Sequence, residues 1–179
     1  GLTSLLAKLK ERKMLPLPNV YKRTRVKGGK DNQKFPCKGF ECENIEDHQA
    51  FAVDENTSVK ALYTPGHTDD HVSFLLERDN ALLSGDCVLG CGTAVFDNLF
   101  EYMHSLTMLR SMIIQRNKNP RKSQHIFNIY PGHGPVITDA LPKINEYIEH
   151  RSLRERQIVD LLNKLRTEGS AGLGWISTW

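Results

Sequence analysis

Three times in this chain an apolar stretch runs into a tight turn that ends on a side chain able to bind a metal ion. The first is Tyr63-Thr64-Pro65-Gly66-His67-Thr68-Asp69-Asp70-His71, the second Leu82-Leu83-Ser84-Gly85-Asp86-Cys87, and the third Ile129-Tyr130-Pro131-Gly132-His133-Gly134-Pro135. A strand end holds a side chain at a fixed place, and glycine lets the backbone turn sharply, so such ends can face one cleft. Imidazole and carboxylate are the usual ligands of a catalytic zinc. A lone histidine is more often a hydrogen-bonded core or surface residue. Two Pro-Gly-His turns and a Ser-Gly-Asp turn, all at strand ends, are harder to explain that way.

Hydrophobic periodicity places these turns on a frame of strands and helices. A helix capped by Thr3 or Ser4 runs to Arg12 on a stripe of Leu2, Leu5, Leu6 and Leu9, and Pro16 and Pro18 close it. Strands are expected at 19–25, 49–53, 59–63, 71–77, 81–83 and 126–130, with 27–46 as a long surface loop. Asp97 is the expected N-cap of a helix carrying Leu99, Met103, Leu106, Leu109 and Ile113. The chain becomes helical again at Thr138. There Ile144, Tyr147 and Ile148 form one stripe and Ile158, Leu161, Leu162 and Leu165 another, out of phase, so a break or bend is expected near His150-Arg151. Asn117–Lys122 reads as a polar loop. Runs of strands flanked by helices predict an α+β fold, a sheet with helices on its outer face.

Composition closes off several alternatives. The chain has 179 residues, 39% hydrophobic and 25% charged, with a net charge of +3. That suits one globular domain and excludes a collagen, a disordered tail or a disulfide-dense mini-protein. No apolar run approaches the ~18 residues of a membrane-spanning helix. The cysteines Cys37, Cys42, Cys87 and Cys91 do not suggest a disulfide framework and fit a reducing compartment. Cys37 and Cys42 have half the spacing of a zinc knuckle with no second pair, and Cys87 and Cys91 read as packing residues or reducible thiols. His48, His104, His125 and His150 read as surface or capping residues. Charge is uneven: residues 1–30 hold nine basic residues against one acidic, a net of +8. A basic flank of this kind attracts a phosphate backbone, with Lys8, Lys10, Arg12 and Lys13 as the candidate RNA contacts. The bland alternative is a solvated helix face.

Taken together, Thr64-Pro-Gly-His67-Thr-Asp-Asp-His71, Ser84-Gly-Asp86 and Tyr130-Pro-Gly-His133-Gly-Pro135 resemble the metallo-β-lactamase superfamily, and most closely its β-lactamase-like protein 2 branch. The stretch 84–96 and the helix 144–157 resemble that branch too. The resemblance implies the C-terminal half of an αββα sandwich with a mixed sheet and outer helices: 1–137 as a partial domain, 138–168 as C-terminal helices and 169–179 as an irregular tail. It also implies two zinc ions, His67 on the first, His133 on the second, and Asp86 as catalytic residue and bridge between both. His71 would support the site by hydrogen bonding, and Asp69 and Asp70 would serve as turn and capping residues. The implied activity is a zinc-dependent endoribonuclease on single-stranded RNA, in the mitochondrial matrix or cytoplasm and without a membrane partner. A thioesterase of the glyoxalase II kind, or a catalytically inactive chain that only binds, are the alternatives. The family's His-x-His-x-Asp-His motif is absent from the 179 residues. Gly1–Leu6 resembles the helix that follows it, so the motif is expected upstream of Gly1. One sheet face is then expected to be open.

Overall fold

In a computed structural model of the chain, residues 2–13, 18–24, 42–118 and 127–169 are described. The elements, in order, are α1 (Leu2–Glu11), β1 (Val20–Lys22), β2 (Cys42–Asn44), β3 (Ala50–Ala52), β4 (Ser58–Tyr63), β5 (Val72–Leu76), β6 (Ala81–Gly85), α2 (Leu99–Asn117), β7 (Asn128–Pro131) and α3 (Ala140–Gly169). β1 and β2 pair in parallel as a small separate ribbon, and β3 to β7 form a five-stranded sheet in sequential order.

The direction of the strands is what assembles the site. β3, β4, β5 and β6 pair antiparallel in succession, and β7 joins β6 in parallel. β4, β6 and β7 therefore point the same way. The turns after them, which carry His67, Asp86 and His133, all emerge at one edge of the sheet. β5 runs the opposite way, so His71, just before it, starts at that edge.

Alternation along the strands decides which side the helices cover. Leu62, Leu75, Leu82 and Ile129 face one side and are buried with Leu106, Leu109 and Ile113 of α2 and Ile144 and Tyr147 of α3. On the other side Leu83 and Tyr130 are 41% and 42% exposed, beside half-buried Phe74. Phe51 extends this face, its ring edge-on to both Tyr21 and Phe74.

Several expectations need correction. The N-cap of α2 is Asn98, not Asp97: the Asn98 side chain accepts from the Glu101 amide. The Asp97 amide instead donates to the Gly66 carbonyl, which fixes it as part of the loop. The region 138–168 is not a set of helices. α3 is one continuous helix of 30 residues, without a break at His150-Arg151. Its second stripe is out of phase because it packs on nothing among the described residues: Ile158, Leu161, Leu162 and Leu165 are all exposed. The end of the expected 27–46 loop holds β2, and Leu5 of the first stripe is exposed while Leu6 is buried. Cys37, His125, Ile126, most of 117–122 and the tail beyond Gly169 lie outside the described residues.

Candidate metal centre

The turn after β4 is held from below by α2. Gly66 has φ +126°, and a Cβ on it would lie 2.3 Å from the Cα of Tyr102, so only glycine fits. The Ser105 hydroxyl donates to the Pro65 carbonyl at 2.7 Å, and the Asp97 and Asn98 amides donate to the Gly66 carbonyl. His67 leaves this seat with its Nδ1 2.8 Å from the Val95 carbonyl. A carbonyl only accepts, so Nδ1 carries the proton and the neutral ring presents a bare lone pair at Nε2.

Asp86 stands between two imidazoles. His67 Nε2 lies 3.6 Å from Oδ2, and His133 Nε2 lies 3.5 Å from Oδ1. Gly132 makes room for the carboxylate: a Cβ there would sit 2.7 Å from Oδ1. The Gly132 amide also donates to the Gly85 carbonyl, tying the second and third turns together. The lone pair of His67 thus faces a carboxylate oxygen, which is also an acceptor. Two acceptors at that distance are stable only with a proton or a cation between them. Tetrahedral zinc bonds of about 2.0–2.2 Å place neighbouring donor atoms roughly 3.4 Å apart. The donor set and its spacing fit a metal ion at each imidazole–carboxylate pair. Among the described residues no three His, Cys, Asp or Glu side chains converge on a single point. Each imidazole meets its own oxygen of one shared carboxylate.

His71 cannot join them as a ligand, because both of its ring nitrogens are taken. Nε2 accepts from the Asp86 amide at 3.2 Å, and Nδ1 faces the Thr64 hydroxyl and carbonyl at 2.9 and 3.1 Å. Burial holds its pKa below the ordinary imidazole value, with the neighbouring His67 pushing the same way. Asp70 accepts from the Thr68 hydroxyl and pairs with Lys22, and the Asp69 carbonyl accepts from the Tyr63 hydroxyl. Cys87 is wholly buried, its thiol pushed up to about 12 by desolvation, while Cys91 is exposed. Cys42 sits half-buried in β2. Lys8, Lys10, Arg12 and Lys13 are all exposed, and none is among the polar partners of His67, Asp86 or His133 named above.

Sequence reasoning missed the layer behind the site. Arg151 of α3 donates to the Ala94 carbonyl at 2.5 Å and lies over the rings of Phe96 and Tyr102, 5.0 and 6.0 Å from their centroids. One turn earlier, the Tyr147 hydroxyl donates to the Gly92 carbonyl. The two clasp the loop whose Val95 carbonyl holds His67. Their i, i+4 spacing was visible. Tyr102 was legible too, lying in phase with Leu106, Leu109 and Ile113.

Residues 5–136 match the description of the metallo-beta-lactamase superfamily. The chain belongs to the metallo-beta-lactamase superfamily. It is 39% identical over 165 residues to a beta-lactamase-like protein 2 homolog of Caenorhabditis elegans, covering 92% of this chain and 48% of that protein. A beta-lactamase-like protein 2 homolog of Drosophila melanogaster is 45% identical over 112 residues, 63% of this chain and 34% of that protein. The chain thus spans less than half the length of these relatives. Among solved structures, a metallo-beta-lactamase family protein of Thermus thermophilus superposes with a TM-score of 0.55 at 25% identity, over 68% of this chain and 39% of that one. The five-stranded mixed sheet with α2 and α3 on one face is a metallo-beta-lactamase layer, as the resemblance implied.

Proposed function

We propose that the chain carries the His67–Asp86–His133 part of a zinc-dependent hydrolase site, and that the whole protein is an endoribonuclease acting on single-stranded RNA. The observation that carries the hydrolase reading is the pair of imidazole-to-carboxylate approaches at Asp86, 3.6 and 3.5 Å. His67 with Asp86 Oδ2 would hold one ion, and His133 with Oδ1 a second, making Asp86 the shared ligand. Ions held there supply Lewis-acid polarisation of the attacked group and acidify water.

The chain's own residues do the rest. The Val95 carbonyl holds the His67 lone pair toward the carboxylate. The Gly85 and Gly132 turns bring the second and third motifs into contact, so the carboxylate and the His133 imidazole keep a fixed separation. The His133 side chain is 74% exposed. The RNA reading is supported by the exposed cations of α1, whose charge suits a phosphate backbone.

A second reading has one observation in its favour. Each pair supplies two protein donors, and a catalytic zinc takes three. On that ground the chain by itself would bind without catalysing. Elemental analysis after equilibration with zinc, run beside the full-length Caenorhabditis elegans relative, tests the site. Zinc that Asp86→Asn abolishes is the expected result; no bound zinc, or zinc indifferent to Asp86→Asn, would overturn the proposal. Zinc binding without cleavage of a single-stranded RNA would leave binding as the chain's activity.

A further inference from the structure

Beneath Asp86 lies a buried polar chain that the hydrolase reading does not use. Thr64, Ser73 and Ser84 are fully buried. The Asp86 amide can only donate, so His71 Nε2, 3.2 Å away, must accept, and the single ring proton sits on Nδ1. Nδ1 then donates toward Thr64, whose Oγ1 is 2.9 Å away and whose carbonyl is 3.1 Å away. As acceptor from His71, Thr64 turns its own hydroxyl proton to Ser73 Oγ at 2.9 Å. Ser73 in turn donates to the Ser84 carbonyl at 3.4 Å. The direction of each bond follows from the first. The relay starts on the amide of Asp86 and ends on the carbonyl two residues before it. It thereby closes around Gly85, whose φ is +51° and whose Cβ, if present, would lie 2.8 Å from His71 Nε2.

We propose that Thr64 and Ser73 are positioning residues for Asp86: their hydroxyls steady the Nδ1–H side of the His71 ring, and His71 holds the Ser84–Gly85–Asp86 turn so that the carboxylate stays between the two imidazoles. Their importance for metal binding rests on the hydrolase reading; the relay does not.

The test uses the full chain, 15N-labelled and metal-free, read by long-range imidazole 15N–1H correlations and by amide exchange. The wild type shows His71 protonated at Nδ1 and a protected Asp86 amide. In Thr64→Val the His71 ring loses the Oγ1 acceptor and the Asp86 amide exchanges about tenfold faster. Thr64→Ser restores the protection. Competition between a chelator and the chain for Zn2+ alone shows affinity falling roughly tenfold in Thr64→Val and recovering in Thr64→Ser. Ser73→Ala moves the same readouts in the same direction, and decides the matter if Thr64→Val does not fold. A wild-type His71 protonated at Nε2, or a Thr64→Val or Ser73→Ala variant with unaltered Asp86 exchange, overturns the proposal. Failure of the wild type to bind Zn2+ would count against the hydrolase reading, while the tautomer and the amide would still decide the relay.

Discussion

His71 shows how one half-buried imidazole can tie stability to pH. Desolvation is the main cause of its lowered pKa, and the neighbouring His67 adds to it. The Thr64 backbone hydrogen bond and the carboxylates of Asp86 and Asp70 oppose the shift without cancelling it. The unfolded chain therefore takes up this proton at a higher pH than the folded one. The stabilisation is present in full above the ordinary value of 6.5 and is lost as pH falls through the folded value. Thermal unfolding followed at pH 7.5 and 5.5 should show a lower Tm at the acid end, and His71→Asn should flatten that part of the dependence. Gly66 gives a second prediction. A methyl group there meets the backbone of α2 at 2.3 Å in a conformation that side chains avoid. Gly66→Ala should cost about 2–5 kcal/mol in urea unfolding. Both residues stood out in the sequence as parts of a motif. The contacts they make did not, because Tyr102 meets Gly66 and the Asp86 amide meets His71 only after α2 and β6 have packed.

Among the elements, α3 was the least legible. Two apolar stripes out of phase read as two helices, because a pattern shift usually marks a change of direction. Here the helix is continuous and its second half turns its stripe to solvent. Periodicity shows which residues share a face; it cannot show that the face lacks a partner. The halves should respond differently to substitution. Arg151→Met removes the hydrogen bond to Ala94 and the stacking over Phe96, and should cost roughly 1–3 kcal/mol. Leu162→Gln, at a position 60% exposed, should stay within about 0.5 kcal/mol of wild type in the same unfolding assay. The cap of α2 was misplaced by one residue for a related reason. Asp97 and Asn98 are both good capping residues. What separates them is the cap bond itself: the Asn98 side chain accepts from the Glu101 amide, while the Gly66 carbonyl takes the amides of both.

At the scale of the molecule, the positions of most strands were readable from their apolar runs and turns, while their order and the parallel pairing of β6 with β7, which gather the three motifs at one edge, came from the structure. An open sheet face was expected from the missing motif; which residues line it became visible once Leu83, Tyr130 and Phe74 were found side by side in register. The proposed RNA contact also belongs to this scale, since it depends on where charge sits on the whole surface. If Lys8, Lys10, Arg12 and Lys13 each meet a phosphate, the logarithm of RNA affinity should fall steeply with the logarithm of salt. Replacing all four by Gln should reduce that slope by about 0.7 for each phosphate no longer neutralised. An unchanged slope would place the RNA, if it binds, on another surface.

The parallel pairing of β6 with β7 has a further consequence. Gly85 lies opposite Pro131, and the two turns begin from that rung. The reach between Asp86 and His133 is thus set by the ladder and the register shift between Leu83 and Gly85 that ends it, across neighbouring strands roughly 4.8 Å apart. Helix α2 crosses between the strands but does not set that reach. The sheet acts as a ruler graduated in peptide units. Removing one residue from β7 would turn its side chains to the opposite face, and removing two would draw His133 back by about 6.6 Å.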